Sequence, residues 1–147
     1  MLWQPAAERF ISIIIGVKGM SQLFFLVEYN LDPLQNPLRA QGASAFLTFE
    51  DEIGLPQNAS DLEVIQVVVQ HKINLGIERI ILTRDKAFHA QLGSWPVKVI
   101  LLTDKTGKYL FPNMKLRDLA MAIILKADNL MRQKGQAVDF IDASKFY

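Results

Sequence analysis

Two spacings of apolar residues alternate along this chain. Continuous apolar runs that end in polar residues recur between stretches whose apolar positions fall every third or fourth residue. A run of the first kind predicts a strand buried on both faces, and the second predicts a helix lying with one side on a sheet. "LFFLVEYN" (23–30) is the first predicted strand, and "DPLQNPLRAQG" follows as a helix that Pro37 shortens or breaks, with Gly42 at its end. "SAFLTFED" (44–51) is aromatic and β-branched, as a second strand should be, and "EIGLPQNA" is a loop by its Gly, Pro and Asn. "SDLE" (60–63) then spells a capping box, with Ser60 as the cap and Glu63 at the third helical position. Leu62, Ile65, Val68 and Val69 continue at helical spacing as the face that should pack on the sheet.

"LGIERIILTRD" returns the chain to a strand, "KAFHAQLGS" allows a short helix, and "VKVILLTDKTG" gives a further strand and turn. After a turn at Pro112 and Asn113, "LRDLAMAIILKADNLMRQKG" predicts a long helix with cations in its last turn and Gly135 beyond it. "AVDFIDASKFY" closes the chain as a last strand and tail. This alternation predicts an α/β domain of three layers, with a mainly parallel sheet covered by helices on both faces.

In such sheets, sites form beyond the carboxyl ends of the strands. That rule selects Glu28 and Asn30, Glu50 and Asp51, Thr83 and Asp85, and Thr103 and Asp104, with Asp61 opening a helix at the same rim. Several carboxylates at one rim repel one another unless a cation neutralises them, and Mg²⁺ prefers oxygen ligands. A metal so held can activate water for phosphodiester hydrolysis. The plainer reading is that polar residues end strands because the chain must leave the sheet towards water.

Length and composition narrow the choice. With 147 residues, half of them hydrophobic, the chain suits one domain with its own core. The absence of cysteine removes disulfides, thiolate nucleophiles and sulfur-bound zinc, and fits a cytoplasmic setting. A net charge of +1 gives no global field for nucleic acid, so any such contact needs a local patch; Arg84, Lys86, Lys105 and Lys108 are the candidates. "FISIII" near the start is too short to span a bilayer, so no membrane is expected. Residues 1–19 read as an extension before a domain at 20–147, with Met20 directly ahead of the first strand. His71 and His89 lack spaced partners and read as surface residues, while Phe88 and Trp95 read as core. No glycine pattern of a phosphate-binding loop is present.

"LFFLVEYNLDPL", "ASDLEVIQVVVQHK", "RIILTRDKAF" and "VKVILLTDKTG", in that order, resemble a compact PIN-like family related to the VapC toxins. The likeness covers about residues 21 to 140. It implies a PIN-like, Rossmann-like fold and a Mg²⁺- or Mn²⁺-dependent ribonuclease, commonly the toxin of a toxin–antitoxin pair. Its implied metal ligands are Glu28, Asp61 and Asp85, with Asp104 as a fourth catalytic acid. Asn30 and Thr83 would position the site, and Arg84 and Lys86 would meet the RNA. Separately, exposed apolar residues on the extension or the long helix would suit a homodimer.

The chain departs from the family pattern at three positions. Glu28 stands where an aspartate is usual, Tyr29 replaces the acid that follows, and Ala87 replaces the acid two residues after Asp85. A methylene added at Glu28 displaces its oxygens by more than about 1 Å. These departures define the alternative: a PIN-like module that has lost catalysis and binds RNA or a protein. Further off stands an unrelated α/β interaction protein whose acids only end its strands.

Overall fold

The structure, a computed structural model, describes residues 22–104 and 114–147. The proposed extension and start at Met20, Lys105, Lys108 and the turn at Pro112 and Asn113 lie outside the described residues. In chain order the elements are β1 (Phe24–Val27), a 3-10 segment (Tyr29–Leu34), α1 (Gln35–Ala40), β2 (Ser44–Leu47) and α2 (Asp61–Leu75). Then come β3 (Arg79–Thr83), α3 (Lys86–Gln91), β4 (Lys98–Thr103), α4 (Leu116–Met131), β5 (Ala137–Asp142) and a 3-10 turn (Ala143–Phe146).

The strands with the longest apolar runs take the middle of the sheet, because only there are both faces covered. β3 is buried along its whole length and β1 in three of its four residues. They pair side by side, Phe25 with Ile80 and Val27 with Leu82. The sheet runs β2-β1-β3-β4-β5, and every pairing is parallel. Consecutive strand residues alternate between two cores. Phe25, Val27, Ile80 and Leu82 meet Leu38 of α1 and Ile123 of α4. Leu26, Ile81 and Val99 meet Ile65 and Val68 of α2 and Phe88 of α3. The result is the expected three-layer α/β/α, Rossmann-like arrangement, with a sheet that is wholly parallel.

The helices obey their local signals. In α2 the Ser60 hydroxyl accepts from the Glu63 N–H at 3.2 Å, and the Glu63 carboxylate accepts from the Ser60 N–H at 2.9 Å. Gly76 ends the helix with φ +68°, a left-handed conformation that costs other residues about 1 kcal/mol or more. Pro37 is the third residue of α1, where its missing N–H has no helical partner to lose. No described helix is long and apolar enough to cross a membrane.

Three element expectations need correction. The first two strands stop at Val27 and Leu47, because the polar residues after them turn out of the sheet. Leu62 is 47% exposed, and Val64 takes its place among the buried positions of α2. α4 ends at Met131, so Arg132 and Lys134 lie past its last turn rather than within it.

Candidate functional site

The chain winds outward from β1 to β2 and then returns to β3, so the connections diverge between the carboxyl ends of β1 and β3. A crevice opens at such a reversal because the two connections leave on opposite faces. Here it is a cleft of about 190 Å³, and Glu28, Asp61, Thr83 and Asp85 all line it. Three segments far apart in sequence are thereby brought to one place.

Each acid is positioned by its own element. Glu28 directly follows β1, its N–H donating to the Leu82 carbonyl at 3.0 Å, and its carboxylate accepts a hydrogen bond from the Thr83 hydroxyl. Thr83 is 1% exposed and its oxygen also accepts from the Asp85 N–H at 3.1 Å, so one side chain ties the two strand ends together. Asp85 caps α3, accepting from the Ala87 N–H at 2.9 Å. Asp61 is the first residue of α2, directly after the capping Ser60. Partial burial and then the charge of Asp85 hold the Asp61 carboxyl above its ordinary value. The two acids are therefore near enough to repel.

Compared with models of known families, with curated proteins and with solved structures, the chain matches none. Its site must be read from its own chemistry.

Among the described residues no three His, Asp or Glu side chains stand close enough together to hold an ion between them. A closed cage of protein ligands is thus not formed. Mg²⁺, however, usually keeps several waters and takes only one or two carboxylates together with substrate phosphate. Asp61 and Asp85 are the acids that such an open mode would use, with Glu28 lining the same cleft.

The remaining expected residues do not line the cleft. Asp104 accepts from the Tyr147 hydroxyl at the end of β4. Asn30 is half-buried, with its side-chain oxygen buried and unpartnered. Lys86 is exposed on α3, and Arg84 is half-buried. Glu50 folds back to accept from the Leu47 N–H at 2.6 Å and from Gln35 at 2.7 Å, a loop-closing role. Glu63 is held below its ordinary value by its hydrogen bonds from Ser60, as a capping-box acid should be.

His71 also differs from the surface residue expected. Its Nδ1 accepts from Arg79 Nε at 3.1 Å, and burial followed by the Arg79 charge lowers its pKa. Its partner lies eight residues on, on β3, so no spacing rule could have paired them. Tyr29, Gln57, Asn58 and Thr48 are the polar side chains of the cleft that sequence reasoning missed. The only available signal was position: Tyr29 follows the first acid, and Gln57 and Asn58 precede the capping box.

Proposed function

We propose that the protein is a PIN-like ribonuclease dependent on Mg²⁺ or Mn²⁺, the toxin-like member of a toxin–antitoxin pair acting on cytoplasmic RNA. One observation carries the reading: Glu28, Asp61 and Asp85, set apart in sequence, line a single cleft at the reversal of the sheet. Asp61 and Asp85, with Glu28 alongside, would hold the metal, which supplies an acidified water and neutralises phosphate charge. Thr83 orients Glu28 by donating to its carboxylate. Asp85 is fixed by the first turn of α3, so its free oxygen is presented from a rigid support. The amino end of α2 brings the positive end of a helix dipole to the same rim, favouring a phosphate there. Subunit pairing would use α4, where Met121 and Leu125 are 44% and 70% exposed one turn apart.

The test is cleavage of single-stranded RNA by wild-type protein and by Asp85→Asn, in Mn²⁺ and in EDTA. The reading expects cleavage that needs the metal and falls at least about 100-fold in the variant. Cleavage in EDTA, or an active variant, would refute it.

A second reading keeps the cleft without the chemistry, as a module binding RNA or protein. That no three acids come together among the described residues favours it, as does Ala87 in place of an acid. Calorimetric titration with Mn²⁺ separates the two, because only the catalytic reading needs a site that Asp61→Asn abolishes.

A further inference from the structure

The acids leave three other side chains of the cleft unexplained. Tyr29 is 42% exposed, yet its support is fixed: the Leu31 N–H donates to the Glu28 carbonyl at 2.8 Å, and the Leu31 side chain is fully buried. An aromatic ring is thus held at the cleft from rigid backbone. Gln57 and Asn58 are the central residues of a turn closed by the Ala59 N–H on the Pro56 carbonyl at 3.1 Å. Both are exposed and both line the cleft. Among the described residues neither carboxamide is engaged in a hydrogen bond. The turn leads directly into Ser60 and Asp61, so these amides stand next to the acid they accompany in sequence.

A part-exposed aromatic ring and two unengaged carboxamides are groups by which proteins hold an unpaired base. Stacking accepts any base, whereas a carboxamide matches an edge that carries a donor and an acceptor side by side. Every base has such a pair on its Watson–Crick edge, but adenine alone has a second on its Hoogsteen edge, in its amino group and N7. The acids of the cleft favour the same choice, since they accept from an exocyclic amino group and repel a carbonyl. We infer that the cleft reads one unpaired adenine of an RNA strand, stacked on Tyr29 and hydrogen-bonded along its edge by Gln57 and Asn58.

The inference rests on the ribonuclease reading for its ligand class, but binding without cleavage tests it separately. The probes are fluorescent oligoadenylate, oligocytidylate and oligouridylate, with anisotropy read in EDTA, where metal-dependent cleavage is silent. Cleavage in Mn²⁺ is followed in parallel. Wild type should prefer oligoadenylate by about tenfold. Tyr29→Ala should weaken binding of every oligomer by about 5- to 150-fold, while Tyr29→Phe retains it. The double variant Gln57→Ala/Asn58→Ala should lose the adenylate preference and keep the affinity for uridylate. Unchanged binding by Tyr29→Ala, a preference that survives the double variant, or no RNA binding by wild type overturns the inference. Cleavage with Tyr29 irrelevant removes this inference and leaves the ribonuclease. Tyr29-dependent, adenylate-selective binding with no cleavage in Mn²⁺ does the reverse.

Discussion

Asp85 has two duties in one carboxylate. One oxygen caps α3 through the Ala87 N–H, and the group as a whole raises the pKa of Asp61 across the cleft. The duties separate by substitution, because asparagine caps a helix about as well as aspartate but carries no charge. Asp85→Ala should therefore cost about 0.5–2 kcal/mol of stability, and Asp85→Asn only a few tenths, by urea unfolding. On the ribonuclease reading, both should lower metal-dependent cleavage at least about 100-fold. In Asp85→Asn the Asp61 carboxyl should also titrate lower, since one of the two causes of its elevation is gone; an NMR titration reads this directly. Equal stability of the two variants would show that the cap contributes nothing. At this scale the sequence was legible where a residue's neighbours are local. "TRDKAF" marks Asp85 as the end of a strand, but whether its carboxylate stands near Asp61 depends on how β3 and α2 pack.

The best-legible element is α2, for the same reason of locality. "SDLE" contains every atom of its capping box, so the helix start could be placed to the residue. Its buried face was harder to assign. Val64 is buried against Leu26 and Ile81 of the sheet while Leu62 is half-exposed, an outcome of packing that the periodicity of α2 does not contain. The strand ends failed similarly: "VEYN" and "TFED" continue an apolar run into polar residues, and nothing local says where the ladder stops. Glu28 leaves its strand because the next residues form a 3-10 turn that buries Leu31 and Leu34. The box has a measurable consequence for the site. Ser60→Ala removes the acceptor for the Glu63 N–H and should cost about 1 kcal/mol. Asp61 is the next residue, so the same change should weaken Mn²⁺ binding in calorimetry, and Ser60→Asn should restore both. A variant that loses stability but keeps full metal affinity would show that the cap does not position Asp61.

Across the whole molecule, charged groups gather at both ends of a sheet whose middle is apolar. At the carboxyl ends they line a cleft; at the amino ends they hold the layers together. Lys98, 2% exposed at the start of β4, donates to Glu78 at 2.9 Å and to the Gly135 carbonyl at 3.1 Å, and Lys72 of α2 reaches Glu78 at 3.3 Å. One carboxylate thus joins α2, the entry to β3 and the entry to β4. Burial alone would raise the Glu78 pKa, but the hydrogen bonds and charges of Lys98 and Lys72 outweigh it and lower it from 4.5. A carboxyl that binds its proton more weakly when folded stabilises the fold above its unfolded value. That contribution is complete above about pH 4.5 and is lost as pH falls through the lower folded value. Glu78→Gln leaves Lys98 buried without its anion and should cost about 1–3 kcal/mol at pH 7. The gap between variant and wild type should close as the solution is acidified, because protonated Glu78 is then equivalent to glutamine. Urea unfolding of both proteins across that range measures it. A gap independent of pH would mean that the side chain acts there by its shape and not by its charge.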